Sequence, residues 1–192
     1  MAWVSTSPLV KKYTLEEFWE LPDPPDRSKL ELIAGVLYMT PPPGYQHENA
    51  VSRLNRILSE YLIATDDKGT LHVPRAGIMR KPNSWLEPDL FYVSAETRAK
   101  LDPNYRTTAD LVIEVISPGS AIYDRNTKAD TYAALGINEL WLVDEASRII
   151  EVRLLKGDQF GPSVALQSTD LLQSFVLRGL VFEVGKVFDD YP

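Results

Sequence analysis

Two acids and one lysine in this chain stand where chemistry can use them. Asp89 follows Pro88 at the head of the run DLFYV, and Glu114 lies inside LVIEVIS, a run typical of a buried strand. A carboxylate in a low-dielectric strand is costly unless a cation meets it. The segment YDRNTKADTYAALG offers one, because Asp124, Lys128 and Tyr132 recur at four-residue steps and share one face of a helix. Two neighbouring strands that each present an acid can bring both carboxylates to one hard divalent cation, Mg²⁺ or Mn²⁺. Such an ion polarises a phosphate and lowers the pKa of bound water, while a lysine supplies compact positive charge to the transition state. Asp89, Glu114 and Lys128 are therefore the candidate catalytic residues for phosphate-ester hydrolysis. The loop of residues 117–123 is expected to return the helix over the strand end.

Each residue also has a plain structural role open to it. Glu114 and Lys128 can form an ion pair that only supports the fold, Asp89 can simply open a strand, and Lys128 can be a solvated lysine. Glu31, within the apolar LELI, is a further anomaly: a third acid, or a side chain that faces water from an edge strand. His47 opens a long helical pattern, where capping or packing is a common role, and Asp124 suits the first turn of its helix. The four tryptophans, Trp3, Trp19, Trp85 and Trp141, read as core or rim aromatics.

Composition limits the alternatives. The 192 residues suffice for one well-buried domain, with ordinary contents of 44% hydrophobic and 24% charged residues. The chain has no cysteine and two histidines, which excludes Cys-ligated zinc and a three-histidine centre. No apolar run approaches the length of about 18 residues that a membrane span needs, and the N-terminal residues lack a signal-peptide core. Cytoplasmic residence without a membrane partner is the expectation. The net charge of −7 is uneven, since residues 68–128 carry nine Lys/Arg against seven Asp/Glu. That balance gives the middle of the chain a slight preference for an anionic partner, although a merely uneven surface explains it equally well.

The elements that must position these residues follow from periodicity. Residues 14–21 predict a short helix capped by Thr14, and KLELIAGVLYMT predicts a hairpin about Gly35. From Gln46 to Ile63, apolar residues at three- and four-residue steps predict an amphipathic helix. Strands are expected over 70–80, 88–93 and 111–117, a helix over 124–135 ending at Gly136, and a hairpin pairing 139–144 with 148–155. The tail is expected to add a strand and a short helix. No repeat or linker interrupts this single domain of residues 1–192, a mixed α/β fold with a helix on at least one face of its sheet.

The blocks LELIAGVLYMTPPPGYQH, EPDLFYV, DLVIEVISPGS, DRNTKADTYAALGINELWLVD and LLQSFVLRGLVFEV, in that order, resemble the Uma2 family of restriction-endonuclease-like proteins. That family belongs to the PD-(D/E)XK nuclease superfamily, and the likeness runs from about Tyr13 to Phe188. It implies a restriction-endonuclease-like core of mixed β-sheet flanked by helices. It also implies a metal held by Asp89, Glu114 and the Val115 main-chain carbonyl. The superfamily pattern places lysine two residues after the second acid, where this chain has Ile116. Lys128 matches the position of a lysine that has moved to a neighbouring helix. Glu31 and His47 match recurrent family positions near the site.

The resulting expectation is a Mg²⁺- or Mn²⁺-dependent endonuclease acting on DNA. Cutting both strands would favour a homodimer, with Trp141 as the candidate contact. The competing expectation is a degenerate nuclease fold that serves as a binding or assembly module. A hydrolase of small phosphate esters is a third, though no GxxxxGK[ST] loop is present for nucleotide triphosphates.

Overall fold

The computed structural model describes residues 10–116 and 124–188. A short helix, α1 (Leu15–Trp19), opens with a reciprocal cap. Thr14 Oγ1 accepts from the Glu17 amide, and the Glu17 carboxylate accepts from the Thr14 amide. The hairpin β1 (Lys29–Ile33) and β2 (Val36–Thr40) follows, turning at Ala34 and Gly35 with both φ angles positive. Three prolines and Gly44 lead into the long helix α2 (Tyr45–Ala64). Next come β3 (Thr70–His72), β4 (Ile78–Arg80), β5 (Ser84–Leu86), β6 (Leu90–Val93), the one-turn helix α3 (Ala95–Arg98) and β7 (Leu111–Ile116). One π-helical turn, Asp124–Lys128, runs directly into α4 (Ala129–Ala134), which ends before Gly136 at φ +77°. The remainder is β8 (Glu139–Asp144), β9 (Ile149–Lys156), β10 (Gln159–Phe160), β11 (Val164–Leu166), β12 (Leu171–Gln173), β13 (Val181–Glu183) and a 3₁₀ turn over Val184–Val187.

The main sheet runs β10-β9-β8-β7-β6-β3, with β11 also on β9. Among the described residues only β7 and β8 pair in parallel, from Leu111 opposite Glu139 to Ile116 opposite Asp144, and α4 lies in the crossover between them. A second sheet, β2-β1-β5-β4, carries the N-terminal hairpin, and β12 pairs with β13. All six residues of β7 are buried because both faces are covered. Leu111, Ile113 and Val115 pack with Leu54 and Leu58 of α2 and with the C-terminal segment. Val112 and Ile116 face the other way, toward Tyr132 of α4 and Ile33 of the smaller sheet. Glu114 shares this second face by alternation.

Two expectations change here. Residues 70–80 are not one strand: β3 and β4 belong to different sheets, separated by a turn through Arg75, and Gly77 passes so close to the Trp85 ring that a side chain would collide. Trp141 is no contact surface either. It is 0% exposed, packs near Phe182, and donates its indole N–H to Glu139 Oε1 at 2.8 Å. That glutamate also accepts from Ser174 Oγ and the Val176 amide, so its charge is fully engaged in tying the C-terminal segment to β8. Trp141→Ala should therefore cost about 3–5 kcal/mol in urea unfolding and leave the sedimentation coefficient of the folded protein unchanged.

Candidate functional site

Asp89 stands one residue before β6, and β6 pairs with β7 so that Leu90 faces Ile113. Extending that antiparallel register puts Asp89 beside Glu114. The Val115 amide donates to Asp89 Oδ2 at 2.8 Å, and His47 Nε2 lies 3.2 Å from the same oxygen. Among the described residues, Oδ1 takes no such contact and is left to the cleft. His47 reaches Asp89 from the first turn of α2, whose start is fixed by the prolines before it. Burial alone would raise the Asp89 carboxyl, but His47, Lys29 and the Val115 amide together hold it below its ordinary value.

Glu114 is met by two donors on the helical segment. Lys128 Nζ donates to Glu114 Oε1 at 3.1 Å, and the Tyr132 hydroxyl donates to the same atom at 2.5 Å. Lys128 is itself buried, with Glu31 Oε2 at 2.9 Å and Asp124 Oδ1 at 3.2 Å. The sequence spacing of Asp124, Lys128 and Tyr132 thus does place them on one side of the segment. Where the wide turn meets α4, Thr131 Oγ1 donates to the Thr127 carbonyl at 2.7 Å. The role expected of the 117–123 loop lies outside the described residues.

The two buried glutamates on Lys128 behave oppositely. Burial raises Glu114, and repulsion from Asp124 and Asp89 adds to it, so its pKa reaches about 7 despite Lys128. Burial also opposes ionisation of Glu31, but Lys128, Lys29 and the Glu87 amide at 2.8 Å outweigh it and hold Glu31 below its ordinary value. The acids also keep Lys128 charged, well above its ordinary pKa in spite of its burial. His47 is held above its ordinary value, because Asp89 overcomes the opposite effect of burial.

Asp89, Glu114, Val115, His47, Asp124 and Lys128 all line one cleft of about 560 Å³. Glu31 lines instead an adjoining cavity of about 390 Å³, which shares Asp124 and Lys128 with the first. Glu31 does not face water from an edge strand: β1 has a partner on each side, and Glu31 is buried. Lys128 is not a solvated lysine, while Asp124 stands in the first turn of its helical segment as expected and is buried there. Sequence reasoning passed over several groups. Lys29 donates to the Glu87 carbonyl at 2.8 Å, and Arg27, Arg75 and Glu145 line the cleft. Lys29 alone carried a signal, two residues before Glu31 and so on the same strand face.

These shifts set a pH dependence. Glu114 has a pKa of about 7 when folded against an ordinary 4.5, so the folded state binds its proton more tightly. Its contribution to stability is complete below about pH 4.5 and is lost as pH rises to about 7. His47 acts in the same sense: its stabilisation is present below pH 6.5 and is lost as pH rises through its elevated folded value. In EDTA the melting temperature should fall between pH 5 and 8. Glu114→Gln should remove much of that fall and melt higher than the wild type at pH 8. Parallel curves for the two proteins would contradict the assignment.

With this geometry in view, comparison with known proteins is specific. The profile of the Uma2 family, described as "Putative restriction endonuclease", matches residues 15–185. A crystal structure of a "putative nuclease belonging to DUF820" from Anabaena variabilis superposes with a TM-score of 0.74. Its sequence is 17% identical, and the match covers 92% of this chain and 97% of that one, which establishes a common fold. No curated protein sequence matches. The profile spans every strand from β1 to β13 and every residue of the cleft floor, and the chain belongs to the Uma2 family.

Proposed function

We propose that this protein is a metal-dependent endonuclease that hydrolyses DNA phosphodiester bonds, with Asp89, Glu114 and Lys128 as its catalytic residues. The observation that carries this reading is the convergence of the two acids, from adjacent strands, with a buried charged lysine on one cleft. Family membership supports it.

Among the described residues, no three Asp, Glu or His side chains are grouped to hold a metal ion. Two carboxylates nevertheless suit Mg²⁺, which keeps several waters and takes one or two protein acids. Burial is the main cause of the raised pKa of Glu114, with repulsion from Asp124 and Asp89 adding to it against Lys128 and Lys29, and a bound cation would favour the ionised form. Asp89, Glu114 and the Val115 carbonyl would hold the ion. When bound, it would supply a more acidic water and a positive charge beside the phosphate.

The protein's own groups do the rest. His47 and the Val115 amide fix the Asp89 carboxylate through Oδ2. Glu31 and Asp124 anchor the Lys128 ammonium, and that anchored charge stabilises the negative charge that develops on the phosphate. Tyr132 holds Glu114 Oε1 from the side of α4.

A second reading is favoured by one feature: Lys128 is already in contact with three carboxylates. A degenerate site kept only as a structural ion cluster, in a binding or assembly module, would look the same. The two readings separate on metal. For a nuclease, Mg²⁺ or Ca²⁺ should raise the melting temperature of the wild type but not of Glu114→Gln. The apparent affinity should weaken as pH falls below about 7, because the ion displaces the Glu114 proton.

Activity is tested on supercoiled plasmid and on a single-stranded circle, with Mg²⁺, Mn²⁺ or EDTA. Metal-dependent cutting should drop by about 10²-fold or more in Asp89→Asn and Glu114→Gln. Undiminished cutting by either folded variant, or none by the wild type on either substrate, would sink the nuclease reading.

A further inference from the structure

The floor of the cleft is acidic, and the rest of its lining sets Arg27, Lys29 and Arg75 beside Glu87 and Glu145. Tyr45, the first residue of α2, lines the cleft with 77% of its surface exposed, beside the exposed run Pro41–Gly44. An aromatic ring left in water at a cleft mouth forgoes burial that most tyrosines obtain. Two exposed arginines, Arg27 and Arg75, share the rim, and both hold left-handed backbone conformations, φ 64° and φ 74°. For a residue with a side chain that conformation is unfavourable. Elsewhere it occurs at the hairpin turns of Ala34 and Arg148 and at Asp66, just past the end of α2. Arg75 adopts it inside the turn closed by the Ala76 amide on the Val73 carbonyl, and both arginines line the cleft. Arg75 approaches Glu87 only at 3.6 Å and is 63% exposed, so its guanidinium is open to a further anion.

The reacting groups lie deep. Asp89 is 8% exposed and Glu114 2%, at the bottom of a cleft of about 560 Å³. That volume is on the scale of pockets for small ligands, about 300–1,000 Å³. An intact duplex keeps its bases stacked inside and its phosphates on a convex surface. It also demands many cationic contacts, about 6–10 phosphates in typical proteins. This chain has a net charge of −7. A single strand has different needs: a narrow positive path for its backbone and an aromatic face for an unstacked base.

We propose that the cleft takes a single DNA strand, with the Tyr45 ring stacking on an unpaired base and Arg27 and Arg75 holding the flanking phosphates. The inference rests on the floor being a phosphodiester site. One acidic floor then suffices for each cut, and no dimer is required.

The test is binding in EDTA, where no cleavage occurs, read by fluorescence anisotropy of end-labelled oligonucleotides at several salt concentrations. The full-length wild type should bind a mixed-sequence single strand at least ten-fold more tightly than the matching duplex. Tyr45→Ala should weaken single-strand binding about ten-fold, and Tyr45→Trp should restore it. Asn tolerates the left-handed conformation, so Arg27→Asn and Arg75→Asn remove charge while keeping the backbone. Each should lower the slope of log affinity against log salt by about 0.7. Arg27→Gly should bind more weakly yet melt higher, a pairing that a purely structural arginine would not give. Equal or tighter duplex binding, no single-strand binding, or an unchanged affinity in folded Tyr45→Ala would each overturn the proposal. Loss of the nuclease reading has a separate signature: tight, Tyr45-dependent single-strand binding without metal-dependent cutting.

Discussion

Everything at this site depends on one buried ammonium. Lys128 sits in a low-dielectric position with Glu31, Glu114 and Asp124 within 3.2 Å. Removing several charges from water costs several kcal/mol per ion, and mutual attraction repays it only when the geometry is good and the remaining polar atoms are satisfied. Here the surroundings largely meet that condition. The Glu87 amide and Lys29 support Glu31, while the Tyr132 hydroxyl supports Glu114. A hydrophobic cluster of similar volume would hold these elements together at less risk. Retention of so many charges at one point is better explained by what they face, the floor of a cleft, than by stability.

The topology explains how distant sequence segments meet there. A parallel β7–β8 pair requires a crossover, and the crossover supplies the helical segment that carries Asp124, Lys128 and Tyr132. The antiparallel β6–β7 pair puts Asp89 alongside Glu114. The second sheet contributes Glu31 through β1 and closes over the same face of β7. The helix α2 covers the opposite face of β7, yet its first turn reaches the strand end and lends His47 to Asp89. Four elements therefore converge on one end of two strands, and each is fixed by apolar packing elsewhere along its length.

Much of this was legible in the sequence because a misfit in a pattern is informative. Glu114 in LVIEVI and Glu31 in LELI break apolar runs, and both prove to be buried on Lys128. The four-residue spacing of Asp124, Lys128 and Tyr132 survives the change from a π-helical turn to α4. What stayed hidden depended on pairing between distant segments. Nothing local tells that β3 and β4 part into different sheets, or that β1 lies inside its sheet and buries Glu31. Trp141 misled because a tryptophan on a hairpin fits an interface as well as a core, and only the partners of Glu139 decide between them. Arg27 and Arg75 carried no signal, since a positive φ at a non-glycine residue is a property of the folded backbone.

The two glutamates on Lys128 show how one fold separates equal groups into different tasks. Both are buried carboxylates in contact with the same ammonium, yet Glu31 is held ionised and Glu114 titrates at about 7. Glu31 has Lys29 as a second cation at 3.7 Å and accepts from the Glu87 amide at 2.8 Å. Glu114 accepts from Lys128 and from a neutral phenol on one oxygen, and its burial, with Asp124 and Asp89 nearby, outweighs Lys128 and Lys29 and raises its pKa to about 7. Glu114 lines the cleft beside Asp89, and Glu31 lines the adjoining cavity that shares Lys128. Lys128 joins the two, with one acid from each cavity in contact with its ammonium.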